Sequence, residues 1–253
     1  MAHALGPTRK ACTVTLLAQA PVPRDIGIFE WLLDPASWTG SDGILASLAD
    51  TVVLCFAVVV IATATMVPLA AWLAHTRRGE VSVSWMVTLS RAIPTFAIAG
   101  LLVPISLRIG WGFEPWPILI ALLLLALPPI FLNTYTAIQQ ADPGAVDAAR
   151  AMGYSETNVL VRVELALATA VILAGVRVAA VTVVATEPIR AFLGGDGLGR
   201  YVRDGLGQNN DGLLIAGAIL VAGLAGLTAL VFRLIEGFAL PEGVRRFTTT
   251  ATR

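Results

Sequence analysis

The sequence predicts an all-α integral membrane protein, on three observations. First, 57% of its 253 residues are hydrophobic and only 13% are charged, with a mean hydropathy of +0.79. Soluble domains carry roughly 25% charged residues, so half that density leaves too little polar surface to coat a water-soluble fold. Second, apolar runs recur at about five places, each near the roughly 20 residues needed to cross a hydrocarbon core about 30 Å thick. Third, alternating strands of roughly ten residues, the signature of outer-membrane barrels, are absent. Lipid offers no hydrogen-bond partner to bare backbone, so the runs have to be helices.

The first run is Ile44–Trp72, interrupted only by small or hydroxyl residues, by Asp50 and by Pro68. The second, Val83–Ile105, contains Arg91 and Pro94, and the third is Pro117–Ile138, most apolar over Leu122–Leu127. The fourth, Leu165–Ala185, contains Arg177; the fifth is Leu213–Ile235. This divides the chain into an N-terminal extension and pre-membrane segment (1–40), a transmembrane domain (41–240) and a tail (241–253). In the extension, Arg9 and Lys10 precede a short semi-apolar stretch ending Ala18-Gln19-Ala20, the outline of a weak cleavable signal. A disordered extension or a misassigned start codon fits the same residues.

Charge and metal-ligand chemistry exclude several classes. Seventeen Lys and Arg balance seventeen Asp and Glu, so nothing points to a nucleic-acid partner. Cys12 and Cys55 lie far apart, as do His3 and His75, which makes neither a disulfide framework nor a metal site. Arg77 and Arg78 directly follow the first run and mark that end as cytoplasmic by the positive-inside tendency. Trp72 and Trp85 would then form one interfacial belt, and Trp31, Trp38, Trp111 and Trp116 the other. The expected orientation is N-terminus outside and C-terminus in the cytoplasm.

The most informative segment joins the third and fourth runs: Asp142-Pro143-Gly144-Ala145-Val146-Asp147-Ala148-Ala149-Arg150-Ala151-Met152-Gly153-Tyr154. It reads as a short capped helix. Asp142 can accept from free N–H groups of the first turn, Pro143 suits the first helical position, and Gly153 suits the left-handed residue that ends a helix. Alanines at 145, 148 and 149 keep the rod narrow enough to enter a groove on a partner. Ser155 can cap a following helix that runs through Val163 and Leu165 into the membrane. An ordinary surface helix with a glycine stop would share these local features; the spacing inside a multi-span chain is what separates the two readings.

Asp147-Ala148-Ala149, Gly153 and Val163-Glu164-Leu165-Ala166 resemble the cytoplasmic loop of ABC-importer permeases, whose pattern is Glu-Ala-Ala, three residues, Gly, nine residues, Ile-x-Leu-Pro. The spacing is kept. Asp147 stands for Glu, Val163 for Ile and Ala166 for Pro; the last removes a helix-kinking residue where the loop joins the fourth span. Further segments are similar to the quaternary-amine importers: Asp34-Pro35-Ala36-Ser37-Trp38, Arg91-Ala92-Ile93-Pro94-Thr95, Pro128-Pro129-Ile130 and Gly194-Gly195-Asp196-Gly197-Leu198-Gly199. The resemblance covers Trp31–Gly237.

That resemblance implies a permease fold like that of the methionine importers, uptake of glycine betaine, choline, carnitine or proline, and a loop that couples to the ATPase through Asp147, Ala148, Ala149, Met152 and Gly153. It further implies two ATPase subunits, a second permease copy or paralogue, an extracytoplasmic binding protein and a bacterial inner-membrane location. No cofactor is expected in this chain. ATP is expected on the partner, since neither G-x-x-x-x-G-K-[ST] nor G-x-G-x-x-G occurs in Gly194–Gly199, whose glycines suit a tight re-entrant turn.

Charged residues inside the runs have two readings. Arg91 and Arg177 are costly in lipid, by about 2.5–3.5 kcal/mol each on insertion scales, so each faces protein or water. They either contact a substrate carboxylate in the pathway or form a structural pair, Arg91 having the further option of reaching the interface. Glu187 either attracts a quaternary ammonium or pairs with Arg190. An ion-coupled secondary transporter is the rival class, but it calls for inverted repeats and midplane carboxylates that are not visible here. An enzyme is the weakest fit, for want of a catalytic constellation.

Overall fold

The computed structural model describes residues 28–40, 43–78, 94–112 and 115–239, with separate helical positions at 81, 83, 85, 86 and 88. The expected signal-like stretch, Arg91 and the tail from 240 onward lie outside the described residues. Helices α1 (Ile28–Leu33) and α2 (Pro35–Trp38) are short and precede the bundle. The Asp34 side chain accepts from the Ala36 amide at 2.9 Å and so starts α2.

Among the described residues, four helices are long and apolar enough to cross a membrane: α3 (Ile44–His75), α5 (Trp116–Gln139), α8 (Leu165–Thr186, extended at its start) and α11 (Asp211–Ala239). These correspond to the first, third, fourth and fifth runs of the sequence. The second run, Val83–Ile105, is described in part: positions 83, 85, 86 and 88 are helical, and α4 (Thr95–Arg108), 14 residues rising about 21 Å, covers its end. Pro94, extended itself at φ −72° and ψ 109°, stands as the N-cap of α4. With 32 residues, α3 is longer than the bilayer requires and has to tilt or project beyond it.

The main core lies where α3, α5 and α8 meet, around Val58, Ala62, Leu122, Ile130, Phe131, Ala179 and Val183. Lipid tails are as apolar as leucine, so close backbone approach and interhelical packing replace the hydrophobic effect as the force between spans. Gly175 of α8 supplies one such approach. A Cβ there would lie 2.6 Å from the Cβ of Asn133 and 3.0 Å from the Pro129 carbonyl oxygen. Those atoms are held in α5, whose Pro128 and Pro129 each remove an N–H from the helical ladder. Asn133 Nδ2 donates to the Pro129 carbonyl at 2.8 Å, and Thr134 Oγ1 to the Ile130 carbonyl at 2.8 Å. Gly175→Leu is therefore expected to push α5 and α8 apart and to destabilise the bundle by about 1–3 kcal/mol. Thermal unfolding in detergent reads this, and an unchanged midpoint would rule out close α5–α8 packing at this position.

At the end of the bundle where α3 starts, α9 (Ile189–Phe192) and α10 (Gly199–Gln208) fold back between α8 and α11. Ile44, Leu198, Tyr201 and Leu213 make a second, smaller core there, with Trp31 edge-on to Tyr201 at 5.4 Å. The glycine-rich stretch is the turn between α9 and α10, with Gly194 and Gly197 both left-handed. Arg203 satisfies its backbone by donating to the carbonyls of Ala191 (3.0 Å) and Gly195 (3.2 Å).

Candidate functional site

The opposite end of the bundle carries the loop singled out in the sequence. Helix α6 (Pro143–Ala151) starts at Asp142, whose side chain accepts from the Ala145 amide at 3.1 Å, and has Pro143 in its first turn. It stops at Gly153, with φ of +87°. The Gly153 amide donates to the Arg150 carbonyl (2.9 Å) and the Tyr154 amide to the Ala149 carbonyl (3.2 Å), the paired bonds of a Schellman ending.

The face that α6 turns outward differs in one residue from the sequence reading. Asp147, Ala148, Met152 and Gly153 are exposed, Met152 at 72%. Ala149 is not: it is 2% exposed and packs with Val146 and Val159, beside Ala141 and Val163. The helix periodicity explains this, since 146 and 149 are one turn apart and share the face that meets the chain's own next helix. Ala149 thus seats the loop, while Ala148 and Met152 form its free side.

Ser155 caps α7 (Glu156–Val159) by accepting from the Asn158 amide at 3.4 Å. The chain then passes through a π-helical turn, Leu160–Glu164, directly into α8. Ala166 in place of proline has the consequence expected of it: with every N–H present, the helix runs on without a proline break. The extra residue of the π turn is accommodated next to Glu164 instead.

A chain of charges joins this loop to the end of α3. Arg150 meets Asp147 at 3.5 Å and holds Glu156 by two parallel bonds of 3.1 Å. Hydrogen bonding to Glu156 raises the Arg150 guanidinium further above its ordinary value. Glu156 in turn lies 3.2 Å from His75 Nε2, and His75 Nδ1 lies 2.8 Å from Glu164. Sequence reasoning set His75 aside as an isolated histidine. The partner that gives it meaning is 89 residues away, a separation no local pattern reports.

The remaining expected site residues are separate from this loop. Arg177 pairs with Glu236 of α11 at 2.9 Å, which answers the cost of a cation in a span with an anion from the neighbouring helix. Glu187 is fully buried and faces Arg190 at 3.4 Å. Thr51 Oγ1 donates to Glu187 Oε2 at 3.2 Å and accepts from the Leu198 amide at 3.0 Å. Gly197 closes this cage: a Cβ on it would come within 2.7 Å of Glu187 Oε1 and 2.8 Å of Thr51 Oγ1. Glu187 therefore stands paired with Arg190. Between α3, α8 and α11 runs a cleft of about 680 Å³ with aliphatic walls, among them Val59, Ala180, Leu227 and Val231.

Comparison with known proteins agrees with this arrangement. The osmoprotectant import permease protein OsmW of Salmonella typhimurium is 34% identical over 158 residues, 62% of this chain and 74% of that protein. The choline transport system permease protein OpuBD of Bacillus subtilis is 32% identical over 74% of this chain and 81% of its own length. The carnitine transport permease protein OpuCB of Listeria monocytogenes is 29% identical over 74% and 84%. Among solved structures, an inward-facing form of the MetNI methionine ABC transporter superposes with a TM-score of 0.67 at 18% identity, covering 78% of this chain and 96% of that one. At that identity the likeness is one of fold. Residues 66–239, which include the whole Asp142–Tyr154 loop, match the inner-membrane components of binding-protein-dependent transport systems, and the chain belongs to that family.

Proposed function

We propose that this chain is the permease subunit that carries a quaternary-amine or zwitterionic osmoprotectant, of the glycine betaine, choline, carnitine or proline type, into a bacterial cell. ATP is hydrolysed by a separate subunit. The observation that carries the reading is the α6 loop: a capped helix at one end of the membrane-spanning bundle, with Asp147, Ala148, Met152 and Gly153 turned outward. The cargo class rests on the relatives, whose names specify osmoprotectant, carnitine and choline transport.

On this reading Asp147, Ala148, Met152 and Gly153 dock on the ATPase, and the loop end of the bundle faces the cytoplasm. Arg77 and Arg78, directly after α3, lie at that end, as the positive-inside tendency requires. The assembly comprises two permease chains, two ATPases and an external binding protein.

Two experiments test the proposal. Deleting the gene is expected to abolish growth rescue by glycine betaine, choline, carnitine or proline in high salt; a deletion that affects only methionine or phosphonate uptake sinks the cargo class. The chain reconstituted alone in vesicles is expected to accumulate no solute with either ATP or an ion gradient. Ion-driven uptake by the lone chain would establish a secondary transporter instead.

A further inference from the structure

The geometry points to His75 as the positioning residue that clamps the α6 loop to the first span, by bridging Glu156 of α7 and Glu164 of the π turn. The inference rests on the permease reading for its functional consequence, though not for its structural one.

Three elements converge on one imidazole. His75 is the last residue of α3, Glu156 the first of α7, and Glu164 the last of the π turn that leads into α8. Each ring nitrogen faces a different carboxylate, at 2.8 Å for Glu164 and 3.2 Å for Glu156. Only a ring with protons on both nitrogens donates in both directions, so the clamp is complete in the imidazolium form. The other charged groups on the described parts of these elements are Asp50, far off near the start of α3, Arg77 and Arg78 beyond its end, and Arg162 in the π turn. Arg150 and Asp147 stand one step further out, on α6.

The links of this chain are unequal, and burial decides which one holds. Arg150 and Glu156 are open to water, with side chains 43% and 60% exposed. Exposed pairs of this kind contribute little, even with two bonds. The His75–Glu164 contact is short and shielded, at 12% and 9% exposure, and charge-assisted bonds are the strong ones when water is excluded. Two further observations place a constraint at this point. The backbone past His75 ends in a Schellman turn with Arg77, not glycine, in the left-handed position (φ +53°), which surrounding structure has to hold. Glu164 also closes the π-helical turn, and such turns are rare and frequent at functional sites. Because Val146 and Ala149 of α6 pack on Val159 and Val163, next to Glu164, a force on α6 reaches α3 through Glu164 and His75 as well as through the backbone into α8.

The test compares His75→Leu, His75→Arg and His75→Leu/Glu164→Leu. Amide hydrogen exchange of residues 143–154, in the purified full-length chain, needs no cargo and no partner. It is expected to accelerate about tenfold in His75→Leu, the factor set by losing one charge-assisted bond. His75→Arg, a cation able to reach both carboxylates, is expected to recover most of the protection. The double variant removes the stranded carboxylate, so its melting temperature recovers while its loop still exchanges fast; a residue that only filled space would restore both. In the complete importer, glycine betaine taken up per ATP hydrolysed is expected to fall in His75→Leu and the double variant, and to hold in His75→Arg. Unchanged loop exchange in His75→Leu overturns the clamp whatever the cargo proves to be. Failure of the wild-type importer to move glycine betaine counts against the cargo reading, and the exchange data still decide the clamp.

Discussion

Gly153→Val is expected to lower the affinity of the ATPase for this chain by roughly a hundredfold, the loss seen when a buried interface anchor fails, while membrane insertion is unaffected. The cause is backbone geometry. Nothing lies within 4 Å of where a Cβ would sit on Gly153, so bulk is not the obstacle. Its φ of +87° is, because a β-branched residue resists the left-handed region. To relieve that strain the chain has to open the Gly153–Arg150 and Tyr154–Ala149 bonds, and Met152 then leaves the outer face of α6. Gly153→Asn tests the argument from the other side, because asparagine tolerates this region and is expected to retain most of the affinity. Asp147→Ala is expected to be mild: its carboxylate is 76% exposed, and such rim charges act mainly on encounter rate. Ala148→Trp adds bulk on the free side and is expected to weaken docking directly. Ala149→Trp is expected to act differently, by unseating the loop from Val146 and Val159. Co-purification of the ATPase with each variant reads these effects. Wild-type binding by both Gly153→Val and Ala148→Trp would show that this loop is not the docking element.

Arg190→Met is expected to destabilise the fold by about 1.5–3 kcal/mol, the loss of a charged hydrogen bond to a buried carboxylate. Glu187 has no exposed surface, and Thr51 Oγ1 and the Gly197 backbone stand against its carboxylate. Adding Glu187→Met is expected to recover most of the loss, because a buried pair replaced by apolar residues of similar size is often close to neutral. The melting temperatures of the single and double variants in detergent measure this. A melting temperature for Arg190→Met equal to that of wild type would mean the pair does not hold α8, α9 and α3 together. Uptake by the folded double variant then separates the two roles considered for Glu187. Transport retained assigns it to structure; transport lost in a stable protein assigns it to the pathway.

The legibility of this protein in its sequence was uneven for identifiable reasons. The spans were readable because a membrane admits one solution for bare backbone, and Ile44–Trp72 needs nothing beyond its own hydropathy to become α3. The α6 loop was readable because caps are local: Asp142 meets the amide of residue 145, and Gly153 bonds to residue 150. Val83–Ile105 was harder, since hydropathy passes smoothly through Pro94, whereas the helix Thr95–Arg108 starts there. Ala148 and Ala149 could not be told apart, as neighbouring alanines differ only in which face the next helix covers.

By itself, then, the sequence determined a helical membrane bundle, the position and ends of the α6 helix, and through both its family. These depend on hydropathy and on bonds reaching a few residues along the chain. Only the tertiary structure decided the partners of the charges. Glu187 meets Arg190 inside a cage completed by Thr51, Arg177 meets Glu236, and His75 stands between Glu156 and Glu164. Such pairs form because a charge removed from water has to find its opposite wherever folding brings one, and that distance along the chain is set by how the helices pack.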